Sequence, residues 1–191
     1  MKKLVIDLSA WQEGIDMQKV KYAGIYGVIL KLGENCRETE TFREQFQQAR
    51  EAGLQIGAYY FAHGLNVADI EREGDWTVAK LKEIGLTDYH LPLSLWLDYE
   101  LEECKDLTMQ RNTNNICAYL NKVGTWLKNY GVYSSYDILW NYTYLFTQVN
   151  WLPTWCAQYS SECDYPNPKL WQFTDSFDCA GMQVDCSELY Y

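Results

Sequence analysis

The chain has 191 residues, 48% hydrophobic and 22% charged, a length that builds one compact domain and a balance that excludes a disordered chain. Lys and Arg number 16 against 26 Asp and Glu, a formal net charge of −10; with no basic run or patch, a nucleic-acid backbone is excluded as the main partner. No apolar stretch reaches bilayer length, whereas aromatic residues at 16% exceed what a core requires and suit the flat faces of sugars.

In chain order, residues 4–8 form a short apolar run interrupted by Asp7, so the basic opening Met1-Lys2-Lys3 leads into a first strand and not into a signal peptide. Residues 25–32 are a second strand, with Lys31 near its end. The spacing predicts a helix over 37–52, with Phe42, Phe46 and Ala49 on one face and Gly53 as its stop. An aromatic-rich strand follows at 54–61. A second helix covers 67–84, with Ile70, Thr77, Leu81 and Ile84 roughly in phase, and Gly85 closes it. Residues 91–99 are a strand. The longest helix is expected over 108–130, with Ile116, Leu120, Val123 and Leu127 in register and Gly131 as its stop. A short strand at 132–134 and a helix at 137–149 complete this part.

Beyond Pro153 the segments 154–159, 169–173 and 182–186 are brief, strand-like and separated by turn residues. Repeated strand–helix units imply right-handed crossovers and a parallel sheet. Eight such strands would close a barrel, but 191 residues fall short of the roughly 250 that eight complete units occupy. The expected fold is therefore α/β: a single irregular, abbreviated TIM-like barrel of eight strands and about four helices, its late strands lacking helices. It spans residues 1–191 as one domain, with no linker or internal repeat.

The seven cysteines, at 36, 104, 117, 156, 163, 179 and 186, are odd in number and contain no C-x-x-C, which speaks against a zinc site. They read as free thiols of a chain made in a reducing cytoplasm, although Cys156/Cys163 and Cys179/Cys186 could each close a short loop.

In a barrel of this kind, reactive groups sit where the strands end. Asp7 closes the first strand, Asp98 and Glu100 close the fourth, and Asp185 lies at the end of the last. Residues i and i+2 of a strand share a face, so Asp98 and Glu100 both look into the mouth. Closure makes the first and last strands neighbours, bringing Asp7 to Asp185. Crowded carboxylates cannot all ionise freely, so at least one is held protonated near neutral pH, as glycosidic cleavage requires.

These residues carry a family resemblance. Ile6-Asp7-Leu8-Ser9-Ala10-Trp11-Gln12, Val28-Ile29-Leu30-Lys31, Gly57-Ala58-Tyr59-Tyr60-Phe61, Leu97-Asp98-Tyr99-Glu100, Val132-Tyr133-Ser134, Trp155-Cys156-Ala157-Gln158-Tyr159, Leu170-Trp171-Gln172-Phe173-Thr174, and Gly181 followed by Val184-Asp185 occur in that order. Together they resemble the family 25 glycoside hydrolases, the Chalaropsis-type lysozymes and phage endolysins. The resemblance implies an irregular β/α barrel that cleaves the β-1,4 bond from N-acetylmuramic acid to N-acetylglucosamine in peptidoglycan, with retention. It implies Glu100 as general acid/base, Asp98 as the acid that orients or stabilises the acetamido group, and Asp7 and Asp185 as the two remaining acids. An enzyme ester and an oxazolinium intermediate both stay open. Tyr60 and Phe173 depart from the pattern, standing where His and Tyr are frequent.

Around the acids, Tyr59, Phe61 and Tyr133 are candidates to stack on a sugar or border the cleft, and barrel packing is the plain alternative for each. Lys31 is a candidate partner for a mouth carboxylate or for a substrate carboxylate, because a buried ammonium is costly. Tyr159 and Trp171 are read as lining the cleft, Trp155 as core. Gln158 and Gln172 are expected to point away from the interior, and His63 to lie at the surface. No nucleophile elbow accompanies His63 or His90, which argues against acyl transfer. The resulting expectation is a cofactor- and metal-independent muramidase, a monomer acting as a phage or prophage endolysin on peptidoglycan after release. A non-catalytic glycan-binding module on the same barrel is the alternative. A hydrolase whose acids bind Mg²⁺ or Ca²⁺ is a third reading, distinguished by EDTA.

Overall fold

The computed structural model describes residues 3–190; Met1 and Lys2 of the basic opening lie outside them. Among these residues nine strands form one sheet: β1 (Lys3–Leu8), β2 (Gly27–Glu34), β3 (Arg37–Glu38), β4 (Gln55–Phe61), β5 (Leu95–Asp98), β6 (Tyr130–Ser135), β7 (Thr154–Ala157), β8 (Leu170–Cys179) and β9 (Met182–Leu189). Pairing of β1 with both β2 and β9 closes eight of them into a barrel, leaving β3 as the arm of a small hairpin with β2. The abbreviated barrel expected from the sequence is the fold observed.

Seven barrel strands run parallel, and β9 is antiparallel to both neighbours, β8 and β1. The reversal follows from a two-residue turn. Cys179 pairs with Met182 across Ala180-Gly181, both at positive φ (52° and 86°), the backbone a tight hairpin needs. Asp185 therefore sits inside β9 and not at its end, yet the reversed strand still delivers it to the mouth, in register with Asp7.

The helices are α1 (Met17–Tyr22), α2 (Phe42–Glu51), α3 (Val67–Glu83), α4 (Met109–Val123), α5 (Tyr136–Asn141) and α6 (Leu145–Gln148). Gly53 and Gly85 follow α2 and α3 at φ 69° and 72° and stop them as expected. Three expectations change. Residues 37–38 are strand β3, so the helix expected over 37–52 begins at Phe42. The helix expected over 108–130 ends at Val123, and Gly131 lies within β6. The helix expected over 137–149 is two short helices.

Strand alternation divides the apolar residues between two cores. Val5, Ile29, Trp96, Tyr133, Trp155 and Leu170 fill the barrel. The opposite faces, with Ile6, Leu30, Ile56 and Leu97, pack against Ile70 of α3 and Ile116 of α4. Trp96 needs Gly131 beside it: a Cβ there would lie 2.4 Å from the Pro153 carbonyl oxygen and 2.5 Å from the indole. Below the mouth the barrel is thus plugged by rings, and its open volume is confined to the upper end.

Candidate active site

At that end a cavity of about 250 Å³ is lined by Asp7, Asp98, Glu100 and Asp185, with Tyr59, Phe61, Tyr133, Trp155, Lys31 and Trp11 around them. Each acid reaches it by strand alternation. Asp7 follows inward Val5 on β1, and Asp98 follows inward Trp96 on β5. Glu100 stands just past the end of β5.

Burial dominates the electrostatics. Asp98 is 5% exposed, and its Oδ1 has no hydrogen-bond partner. Burial, then the charges of Glu100 and Asp7, holds its carboxyl well above the usual carboxylate range, against the pull of Lys31. Asp7 is likewise held well above that range, by burial first and then by Asp185 directly across the β1–β9 ladder. The two carboxyls face each other across that ladder, and Asp7 is held further above its usual range than Asp185. Burial also raises Asp185 and Glu100; Asp185 raises Glu100 further, while the charge of Lys31 draws it down. The arrangement keeps acidic protons available in a negatively charged pocket.

The other expected residues divide. Tyr59, Phe61 and Tyr133 line the cavity. Lys31 lines it too, but its ammonium pairs with Glu34 Oε1 at 3.0 Å and lies 5.1 Å from the Phe61 ring centroid, so it does not bond a mouth carboxylate. His63 is not simply at the surface: its Nε2 lies 3.0 Å from Glu34 Oε2. Tyr159 is 56% exposed and is not among the residues lining the cavity; its hydroxyl reaches Gln172 Oε1 at 3.1 Å. Trp171 does not line the cleft. It points outward, 5% exposed, and its indole N–H donates to the Gln158 carbonyl oxygen at 2.7 Å.

The reason is the position between. Leu170 and Gln172 take the inward places on β8. Gln172, expected to point away, is 1% exposed, and its Nε2 donates to Asp7 Oδ2 at 3.0 Å. Its Oε1 accepts from the hydroxyls of Tyr133 at 2.9 Å and Tyr159 at 3.1 Å. A polar residue goes inward here because its partners are there. Trp155 is buried as expected, its indole N–H donating to Ser187 Oγ at 2.9 Å, and it also forms part of the cavity wall.

Trp11 was not anticipated. It is 92% exposed at the lip. The turn that raises it is capped by Ser9, whose Oγ accepts from the Trp11 N–H at 3.2 Å and whose own N–H donates to Gln12 Oε1 at 3.0 Å. Gln45 of α2 donates to the Ser9 carbonyl oxygen at 3.0 Å and holds the turn from behind. The Ser-x-x-Gln spacing was the available signal. A second groove, lined by Trp11, Lys31, Glu34, Arg37 and Glu40, continues the cleft toward the β2–β3 hairpin. All seven cysteines are free. Among the described residues no helix is long and apolar enough to cross a membrane, and no group of three or more His, Cys, Asp or Glu side chains is placed to hold a metal ion.

Solved structures match over nearly the whole chain. The modular autolysin LytC of Streptococcus pneumoniae superposes with a TM-score of 0.84 at 23% identity, covering 99% of this chain and 47% of that one, so this chain spans about half the autolysin's length; it is also known with a synthetic peptidoglycan ligand. The lysozyme of Streptomyces coelicolor gives 0.77 at 21% identity, covering 99% and 92%. The catalytic domain of endolysin ply40 from bacteriophage P40 of Listeria monocytogenes gives 0.71 at 21% identity, covering 100% and 94%. Comparison with curated proteins gives no match. The model of the glycosyl hydrolases family 25 matches residues 6–182, and with the acid-lined barrel mouth already in view the chain belongs to that family.

Proposed function

We propose that the chain is a peptidoglycan hydrolase, specifically an N-acetylmuramidase that cuts the β-1,4 bond between N-acetylmuramic acid and N-acetylglucosamine with retention, acting as a phage or prophage endolysin through a single catalytic domain. The observation that carries the reading is the convergence of Asp98 and Glu100 with the facing Asp7–Asp185 pair in one cavity. Family membership and the peptidoglycan-bound relative support the choice of substrate.

In this reading Glu100 is the proton donor. Burial holds its carboxyl above the usual range, so it carries a proton to the glycosidic oxygen as the bond breaks and afterwards takes one from the incoming water. Asp98, buried beside it, orients the acetamido group at the reacting sugar. Asp185 contributes negative charge near the developing oxocarbenium centre. Tyr59, Phe61 and exposed Trp11 offer ring faces along the cleft.

Digestion of purified cell walls tests this. Wild type is expected to release muropeptides whose new reducing end is muramic acid, as read by mass spectrometry. Glu100→Gln, similar in shape, is expected to lose at least about 10²-fold in rate while remaining folded. Glucosamine at the new end, or equal rates for the two proteins, would refute the assignment.

A further inference from the structure

We propose that Gln172 is a positioning residue of the acid cluster: one amide fixes Asp7 against Asp185 and ties it to Tyr133, the hydroxyl beside Glu100. The inference rests on the reaction assigned above and adds to it a residue that touches neither the substrate nor the bond being broken.

In the structure the amide turns its oxygen to two tyrosines and its NH₂ group to Asp7. Its oxygen receives two hydroxyl donors, Tyr133 at 2.9 Å and Tyr159 at 3.1 Å, one for each lone pair. The NH₂ group therefore faces Asp7, at 3.0 Å from Oδ2. Asp7 and Asp185 are direct partners on adjacent antiparallel strands, where like charges repel, so the pair is expected to share a proton. An N–H held on Asp7 decides how that carboxyl turns toward Asp185. Through Tyr133 the same amide reaches the neighbourhood of Glu100. One buried side chain thus sets two features of the reaction, the direction of the shared proton and the environment of the proton donor.

The groups that bear on Asp7 from other elements are Asp98 of β5, Glu100 beyond it, Tyr59 of β4 and Cys186 of β9, with Lys31 of β2 as the cation of the cavity lining. None of them donates a hydrogen bond to Asp7 Oδ2 as Gln172 does. Because an N–H donor favours the ionised form of a carboxyl, removing it raises the pH at which Asp7 loses its proton.

The test compares wild type, Gln172→Met and Tyr159→Phe by the pH dependence of kcat/KM on solubilised glycan strands, and by carbon NMR titration of the aspartate carboxyls. Gln172→Met is expected to lower kcat by about 10²-fold with KM changed less than about threefold. It is expected to move the NMR titration of the Asp7–Asp185 pair, and the acidic limb that reports ionisation of that pair, upward by about one pH unit, the worth of one hydrogen bond to a charged acceptor. Tyr159→Phe removes one of the two donors that fix the amide from a side chain largely in solvent, and is expected to shift the limb the same way by a smaller amount. An active wild type whose Gln172→Met variant loses only melting temperature, with limb and titration unmoved, overturns the inference alone. A wild type that leaves glycan strands intact overturns the proposed function; the NMR titration still decides whether Gln172 holds Asp7. Should Gln172→Met fail to fold, Tyr159→Phe decides: a shift supports the inference and an unmoved limb overturns it.

Discussion

Asp98 shows what this site demands of a single side chain. One of its carboxyl oxygens is buried without a partner, an arrangement that destabilises the fold and persists at reactive centres. The sign of its pH dependence follows. A carboxyl whose folded pKa is raised adds full stability below its unfolded value, near 3.8, and loses that contribution as pH rises through the folded value. Asp98→Asn cannot ionise, so it is expected to be more stable than wild type at pH 7 by on the order of 1 kcal/mol, about 2–4 °C in melting temperature, while losing activity. Below about pH 3.5 the two melting curves should converge. Thermal unfolding across that window checks the sign, and a variant less stable than wild type at pH 7 would contradict it. At this scale Asp7, Asp98 and Glu100 were legible in the sequence because each sits near the end of a strand, whereas Asp185 lies within β9. Gln172 was not, because an amide reads as a surface residue until its three partners, all distant in sequence except Tyr159, are assembled.

The elements hold these side chains in place through contacts on the barrel's outer face. Tyr60, the departure noted beside Tyr59, points away from the cavity: it packs against Trp76 and Tyr119 and accepts the Cys36 N–H at 3.0 Å. It thereby braces the β2–β3 hairpin, where Asn35 and Cys36 both have positive φ (48° and 55°). Arg43 of α2 fastens the same hairpin, bonding Glu38 at 2.6 and 2.8 Å. Inside the barrel Gly131 on β6 is a tight joint. Gly131→Ala is expected to cost about 3 kcal/mol, roughly 6–12 °C in melting temperature, because its methyl meets backbone on one side and Trp96 on the other. Differential scanning calorimetry measures this directly, and a shift under about 2 °C would show that the barrel relaxes around the methyl. The long helices were legible from their apolar period and glycine stops. Helix α1 was missed because six residues are too few to display a period. The antiparallel β9 was missed because its turn is Ala180-Gly181, and alanine at positive φ carries no hairpin signature.

For the chain as a whole, the net charge of −10 bears on the proposed encounter with an anionic wall. Long-range repulsion slows the approach, and salt screens it. The rate of wall solubilisation is therefore expected to rise between about 10 and 150 mM salt, as the screening length falls from roughly 30 to 8 Å; turbidity assays at constant pH follow it, and a rate that falls across this range would show that local attraction governs encounter. Closure of the barrel joins its first strand to β9. Its first strand stays unpaired on one side until β9, the final strand, turns back and zips against it. Asp7 then gains Asp185, and Gln172 reaches it across 165 residues of chain. Catalytic competence is consequently an event of completion: a polypeptide still being synthesised, or one clipped after β8, holds Glu100 and Asp98 but no facing dyad, and an open seam where the cleft should be.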